Sequence, residues 1–216
     1  MIQERKRRIA LLGASGTVGR RIVGRLLESG FEVVCQTRSA DKLAHVAGRV
    51  QVDVFDPRDA GRLSEFVRSS DAVIFALGTD TIGATTLFSD ATGTLITAMR
   101  THGVRRLIAI TGVGAGETRG HGSFFYDWII FPLFTRKRYQ DKDRQESLIA
   151  ASGLDWTIVR PAPFVEGPVS RALEVYTEIK PETRLSRITR DEVAGFVVAL
   201  LDSDRYLRQR PFIGHA

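Results

Sequence analysis

The segment Gly13-Ala-Ser-Gly16-Thr-Val-Gly19 has the residue types and spacing of a loop that cradles a phosphate. It lies between a short apolar run and a helical pattern, and there each glycine has a task. Gly13 supplies a tight turn, because a residue without Cβ enters the left-handed region without strain. Gly16 lets a pyrophosphate approach the backbone, and Gly19 lets the helix pack close to the strand. The N–H groups of Ser15, Gly16, Thr17 and Val18, with the helix dipole, would then face the anion. The loop ends Gly19-Arg20-Arg21, not Gly-Lys-Ser/Thr, which argues against an NTPase P-loop.

A second position bears on which dinucleotide would bind. NAD sites usually carry an acid at the end of the second strand, for the ribose 2′-hydroxyl. Here that strand ends Gln36-Thr37-Arg38-Ser39. A guanidinium there can clamp a 2′-phosphate and stack on adenine, so NADP is expected over NAD. Asp53, at the end of the third strand, is placed to accept from the adenine amino group. An ordinary turn aspartate ahead of Pro57 is the alternative.

Alternating strands and helices must position these groups. Apolar runs predict strands over Ile9–Leu12, Phe31–Thr37, Arg49–Val54, Ala72–Leu77, Arg106–Thr111 and Leu154–Arg160. Helical patterns fill Thr17–Glu28, Ala40–Ala47, Pro57–Arg68, Ile82–Thr101 and Asp141–Ser152. That rhythm is the signature of βαβ units and a doubly wound parallel α/β sheet. Gly112–Gly122 reads as a glycine-rich loop. Residues 161–188 read as irregular, and Phe212-Ile213 as a last edge strand. Thr189-Arg-Asp-Glu192 has the form of a capping box opening a final helix.

Composition excludes several classes. The chain has 216 residues, 43% of them apolar, enough for a large core without staples. Its one cysteine, Cys35, permits neither an internal disulfide nor a multi-cysteine zinc site, and is expected to be a small buried hydrophobe. His45, His102, His121 and His215 show no metal-ligand spacing. The net charge of +6 divides into +3 at residues 4–8 and +3 at residues 136–144, leaving a neutral body. No polyanionic partner is therefore expected. No apolar stretch approaches the length of a membrane span or an export signal. Residues 124–139 hold seven of the chain's 18 aromatics, which suggests a flap over a flat ligand, or else core packing or an interface.

Four segments give the chain a family resemblance. They are Gly13–Gly19, Val52-Asp53-Val54, the stretch from Lys142-Asp-Arg-Gln-Glu146 through Ser152-Gly-Leu-Asp-Trp-Thr-Ile-Val-Arg-Pro161, and Ile188-Thr-Arg-Asp-Glu-Val-Ala194. In this order the chain resembles the atypical short-chain dehydrogenases/reductases. The resemblance is to the NAD(P)H-binding kind that includes NmrA-like proteins and flavin reductase (biliverdin-IXβ reductase) relatives. The resemblance implies that Gly13, Ser15, Gly16, Thr17, Val18 and Gly19 hold the pyrophosphate. Arg38 would meet the 2′-phosphate, and Asp53 with Val54 the adenine. Leu77 and Gly78 would pass under the nicotinamide ribose, Thr111 and Gly112 would border the nicotinamide, and Pro161 would close over the carboxamide. Lys142 would stand at the ribose-binding or catalytic lysine.

One departure matters. The wider superfamily uses Tyr-x-x-x-Lys, but Tyr139 is followed by Asp143 at the lysine position. Tyr176 and Lys180 have the spacing yet lie too late in the chain. With no tyrosine acid, the acceptor is expected to be a planar molecule such as a flavin or quinone, because hydride transfer to it needs little protein acid. The expectation is thus one NAD(P)-binding Rossmann domain over residues 1–216, with lid segments about 113–140 and 162–188. It would be a cytoplasmic NADPH-dependent reductase. The alternative is an NmrA-like redox sensor that binds NADP without chemistry.

Overall fold

The computed structural model describes residues 5–79, 84–113, 118, 136–167 and 172–216. Eight strands form one sheet: β1 (Arg8–Leu12), β2 (Glu32–Thr37), β3 (Gln51–Val54), β4 (Ala72–Phe75), β5 (Arg106–Ile110), β6 (Asp155–Pro161), β7 (Glu174–Tyr176) and β8 (Phe212–Gly214). Their order is β3-β2-β1-β4-β5-β6-β8-β7. All neighbours are parallel except β7 and β8. The helices are α1 (Gly19–Glu28), α2 (Ala60–Val67), α3 (Leu87–Thr101), α4 (Arg136–Ala150) and α5 (Arg190–Ala199). This is the doubly wound α/β architecture expected.

The sheet is buried on both faces, so β4 is apolar throughout and β1 and β5 are apolar after their first residue. Alternate residues feed two cores. Ile9 and Leu11 pack with α1 and α5 through Ile22, Val23, Leu26, Val193 and Val197. Ala10 and Leu12 pack on the other face with Leu63, Phe66, Phe88, Leu95 and Met99 of α2 and α3. Further along that face, α4 packs on α3.

The element boundaries have local causes. α2 begins at Ala60 and not at Pro57 because the Asp59 side chain accepts from the Arg62 amide at 3.1 Å and caps the helix there. The segment Ala40–Val46 is a 3-10 helix. α4 begins before Asp141, at Arg136, and its chain is turned by Gly153 at φ 69°. The capping box at Thr189 forms as expected, with the Glu192 side chain accepting from the Thr189 amide at 2.9 Å.

Two expectations are corrected. Residues 161–188 are not wholly irregular, because Glu174–Tyr176 pairs antiparallel with β8. β8 is consequently not the edge; it lies between β6 and β7. The aromatic run 124–135, His121 and most of the first lid segment lie outside the described residues, as do residues 168–171 of the second. No helix among the described residues is long and apolar enough to cross a membrane.

Candidate functional site

The glycine loop joins β1 to α1 at the carboxyl edge of the sheet. Gly13 sits at φ 78°, and a Cβ there would fall 2.6 Å from the Ala76 carbonyl oxygen. A Cβ on Gly19 would fall 2.2 Å from the Gly13 carbonyl oxygen. Both positions therefore admit only glycine without rearrangement, whereas Gly16 meets one backbone oxygen at 3.3 Å. Gln36, buried in β2, pins the loop. Its Oε1 accepts from the Gly13 amide at 3.1 Å, and its Nε2 donates to the Phe55 carbonyl at 2.7 Å. The Gln36 carbonyl also accepts from the Ala14 amide at 3.1 Å.

The start of α1 is left open. Val18 occupies the N-cap position, no side chain caps it, and no acid lies in the first turn. The amides of Ser15, Thr17 and Val18 find no acceptor among the described residues. A helix start normally has its free N–H groups satisfied by a cap. Arg20 and Arg21 instead place positive charge at the positive end of the dipole, an arrangement that an anion relieves. Arg21 is partly balanced by Asp191 at 3.2 Å.

A cavity of about 900 Å³ runs from this loop across the carboxyl ends of β4, β5 and β6. It is lined by Gly13, Ser15, Gly16, Thr17, Val18, Arg38, Leu77, Gly78, Thr111, Gly112, Lys142 and Pro161, all named from the sequence. Gly19 lies behind the loop as its packing glycine. Asp53 and Val54 are outside the lining; the Asp53 carboxylate accepts from Gln51 Nε2 at 3.2 Å, and Val54 is half exposed.

The two ends of the cavity differ in chemistry. At one end Arg38 is joined by Arg20, Lys42, Asp56 and Arg58. Hydrogen bonds from the Arg58 side chain hold the Asp56 carboxyl at about 2, well below the usual carboxylate range. At the other end Lys142, buried, reaches the Ile110 carbonyl at 3.4 Å and lies 4.2 Å from the centre of the Phe88 ring. Beside it the Thr111 hydroxyl donates to Glu146 Oε1 at 2.7 Å. Glu146 is held by Arg160, Nη2 to Oε2 at 2.5 Å and Nε to Oε1 at 3.1 Å. Phe164 also lines this end. Tyr176 does not line the cavity; its hydroxyl donates to Glu174 at 2.7 Å.

Sequence reasoning missed Gln36, the Asp56–Arg58 pair, Phe164 and the Glu146–Arg160 pair. Gln36 alone left a signal, a polar side chain late in an otherwise apolar strand. Among the described residues, no group of His, Cys, Asp and Glu is placed to hold a metal ion.

Residues 13–204 match the family described as NAD(P)H-binding. The chain belongs to that NAD(P)H-binding family. This agrees with the atypical short-chain dehydrogenase/reductase resemblance, and the match begins at Gly13. One family-like relative is the Bacillus subtilis (strain 168) protein named as the uncharacterized sugar epimerase YhfK. It is 26% identical over 204 residues, covering 90% of this chain and 88% of that protein. Among solved structures, ChuY, an anaerobillin reductase from Escherichia coli O157:H7, superposes with a TM-score of 0.78 at 24% identity, covering 96% of this chain and 97% of that one. A short-chain dehydrogenase/reductase from Veillonella parvula DSM 2008 in complex with NADP has a TM-score of 0.78 at 16% identity, covering 98% and 95%. At these identities the structural likeness speaks for the fold.

Proposed function

We propose that the protein is an NADPH-dependent reductase of a planar acceptor. The observation that carries the reading is the uncapped start of α1. It opens into a cavity that holds Arg38, Lys42 and Arg58 at one end and Lys142 with Thr111 at the other. The free amides of Ser15, Thr17 and Val18 suit a pyrophosphate. Arg38 and its cationic neighbours suit a 2′-phosphate, which distinguishes NADP from NAD. The residues present thus fit the dinucleotide, and Lys142 is within the same cavity to meet a ribose hydroxyl.

A bound reduced nicotinamide supplies a hydride. A flavin- or quinone-type acceptor takes that hydride and a proton from solvent to become the reduced, neutral form. Phe164 supports a flat acceptor. It is 40% exposed at the cavity, and the Arg190 guanidinium lies 4.8 Å from its ring centre. Membership of the NAD(P)H-binding family is consistent with the reaction class.

The test is titration of purified protein with NADPH and NADH, followed by turnover with menadione, FMN and an aldehyde. NADPH should bind at micromolar concentration, and Arg38→Ala should weaken NADPH while hardly changing NADH. Absence of binding below millimolar for both cofactors refutes the reading. Binding without turnover over the whole panel would instead indicate an NADP sensor.

A further inference from the structure

We infer that Glu146 is a positioning residue that turns the Thr111 hydroxyl into an obligatory hydrogen-bond acceptor toward the cavity. The inference rests on the dinucleotide reading above and adds a selectivity to it: the ligand must present a donor, an amide N–H or a hydroxyl, at Thr111.

The argument is one of hydrogen count. A threonine hydroxyl has one hydrogen to give and two lone pairs to receive with. Thr111 gives its hydrogen to Glu146 Oε1 at 2.7 Å. A carboxylate accepts only, so the direction of this bond is not reversible while Glu146 is ionised. Arg160 donates two hydrogen bonds to the Glu146 carboxylate, and Arg210 Nε lies 3.5 Å from Oε2, so guanidinium groups face both oxygens. The group is also rigid. Glu146 and Arg160 are buried, and Thr111 is 8% exposed, so water competes little for these bonds. The Thr111 amide donates to the Val159 carbonyl at 2.9 Å, which fixes the backbone that carries the hydroxyl.

What remains on Thr111 is lone-pair density at the edge of the cavity. Toward a ligand it acts as acceptor, and it is not a source of protons for a substrate oxygen. A carboxamide in this position gives an N–H to Thr111. A carboxylate in the same position has none to give.

The experiment compares NADP⁺ with its analogue bearing a carboxylate in place of the carboxamide, by fluorescence titration. The proteins are wild type, Thr111→Ser, Thr111→Val and Glu146→Gln. Wild type and Thr111→Ser should favour the amide over the acid. Thr111→Val should lower that preference by about fivefold, the size of one net hydrogen bond. Glu146→Gln can donate an amide N–H to Thr111, freeing the Thr111 hydrogen to point at the ligand, and so should shift the preference toward the acid. A merely structural role for Glu146 would weaken both ligands together. An unchanged preference in Thr111→Val overturns the inference while NADP⁺ binding by wild type leaves the dinucleotide reading standing. Failure of wild type to bind NADP⁺ overturns both. Should Glu146→Gln not fold, the Thr111→Ser and Thr111→Val pair decides.

Discussion

The Asp141 carboxylate on α4 accepts a hydrogen bond from the Phe88 amide at 2.8 Å and so caps the start of α3 from 53 residues away. Thr86, the local N-cap residue of α3, makes no capping bond. Asp141 also receives the Ser89 hydroxyl at 2.5 Å and an Arg144 guanidinium N–H at 3.0 Å. The next residue, Lys142, lies over the Phe88 ring. The bond that starts one helix therefore also sets where the cavity lysine stands. Asp141→Ala should cost about 1–2 kcal/mol, as for a lost cap, with more if the amides stay buried and unpaired. Asp141→Asn, which keeps an acceptor oxygen, should cost less. Thermal and urea denaturation of the two variants check this. Equal stability of Asp141→Ala and wild type would remove the capping role.

Phe164→Ala should raise the KM for a planar acceptor while leaving the affinity for NADPH within about twofold. Base-on-aromatic stacking contributes roughly 1–3 kcal/mol, which corresponds to a rise of about fivefold or more. Phe164→Tyr should behave as wild type. The outcome is read from steady-state kinetics with menadione and FMN at saturating NADPH. A matching fall in NADPH affinity would place Phe164 at the cofactor instead.

Burial in β2, with the nearby Asp53 charge as a lesser cause, pushes the Cys35 thiol up to about 12. The nucleophile is the thiolate, so Cys35 should be inert toward an aromatic disulfide reagent at pH 8 and should react at once in denaturant. Rapid labelling of the native protein would contradict that environment.

Asp56 titrates at about 2 against an ordinary 3.8, chiefly through the Arg58 side-chain bonds. A carboxyl depressed on folding stabilises the fold above its unfolded value and loses that contribution as pH falls through the folded one. Melting temperature should therefore lose the Asp56 contribution only below about pH 4, and the difference between wild type and Asp56→Asn should vanish near pH 2. Because Asp56 stays ionised at neutral pH beside Arg38, Asp56→Asn should tighten NADPH more than NADH. Equal changes for both cofactors would separate this carboxylate from the 2′-phosphate.

The glycine loop and the six parallel strands were legible because their signals are local: a three-glycine spacing, apolar runs, a Thr189–Glu192 box. The contacts that tune the site are not local. Asp141 acts on α3 across the fold, Gln36 reaches both Gly13 and Phe55, and Glu146 meets Arg160 only when α4 lies along β6. Single side chains of this kind carry no periodicity. β7 was overlooked because three residues amid prolines are too few to show alternation. Asp53 was chosen for its place at a strand end, yet its carboxylate faces Gln51 and the cavity is lined instead by Asp56 and Arg58, three and five residues on.

The basic residues at the start of β1 and just ahead of it have a consequence for how a charged ligand arrives. Arg5 is paired with Asp71, Arg7 with Asp202 and Arg8 with Glu32. They close salt bridges along the amino edge of the sheet and cancel there. Arg20, Arg38 and Lys42, at the carboxyl edge, form no ion pair among the described residues. Cations without an ion-pair partner on that rim would attract an approaching anion through the local field they set up. Association of NADPH should slow as ionic strength rises, with the cofactor reaching the rim phosphate-first.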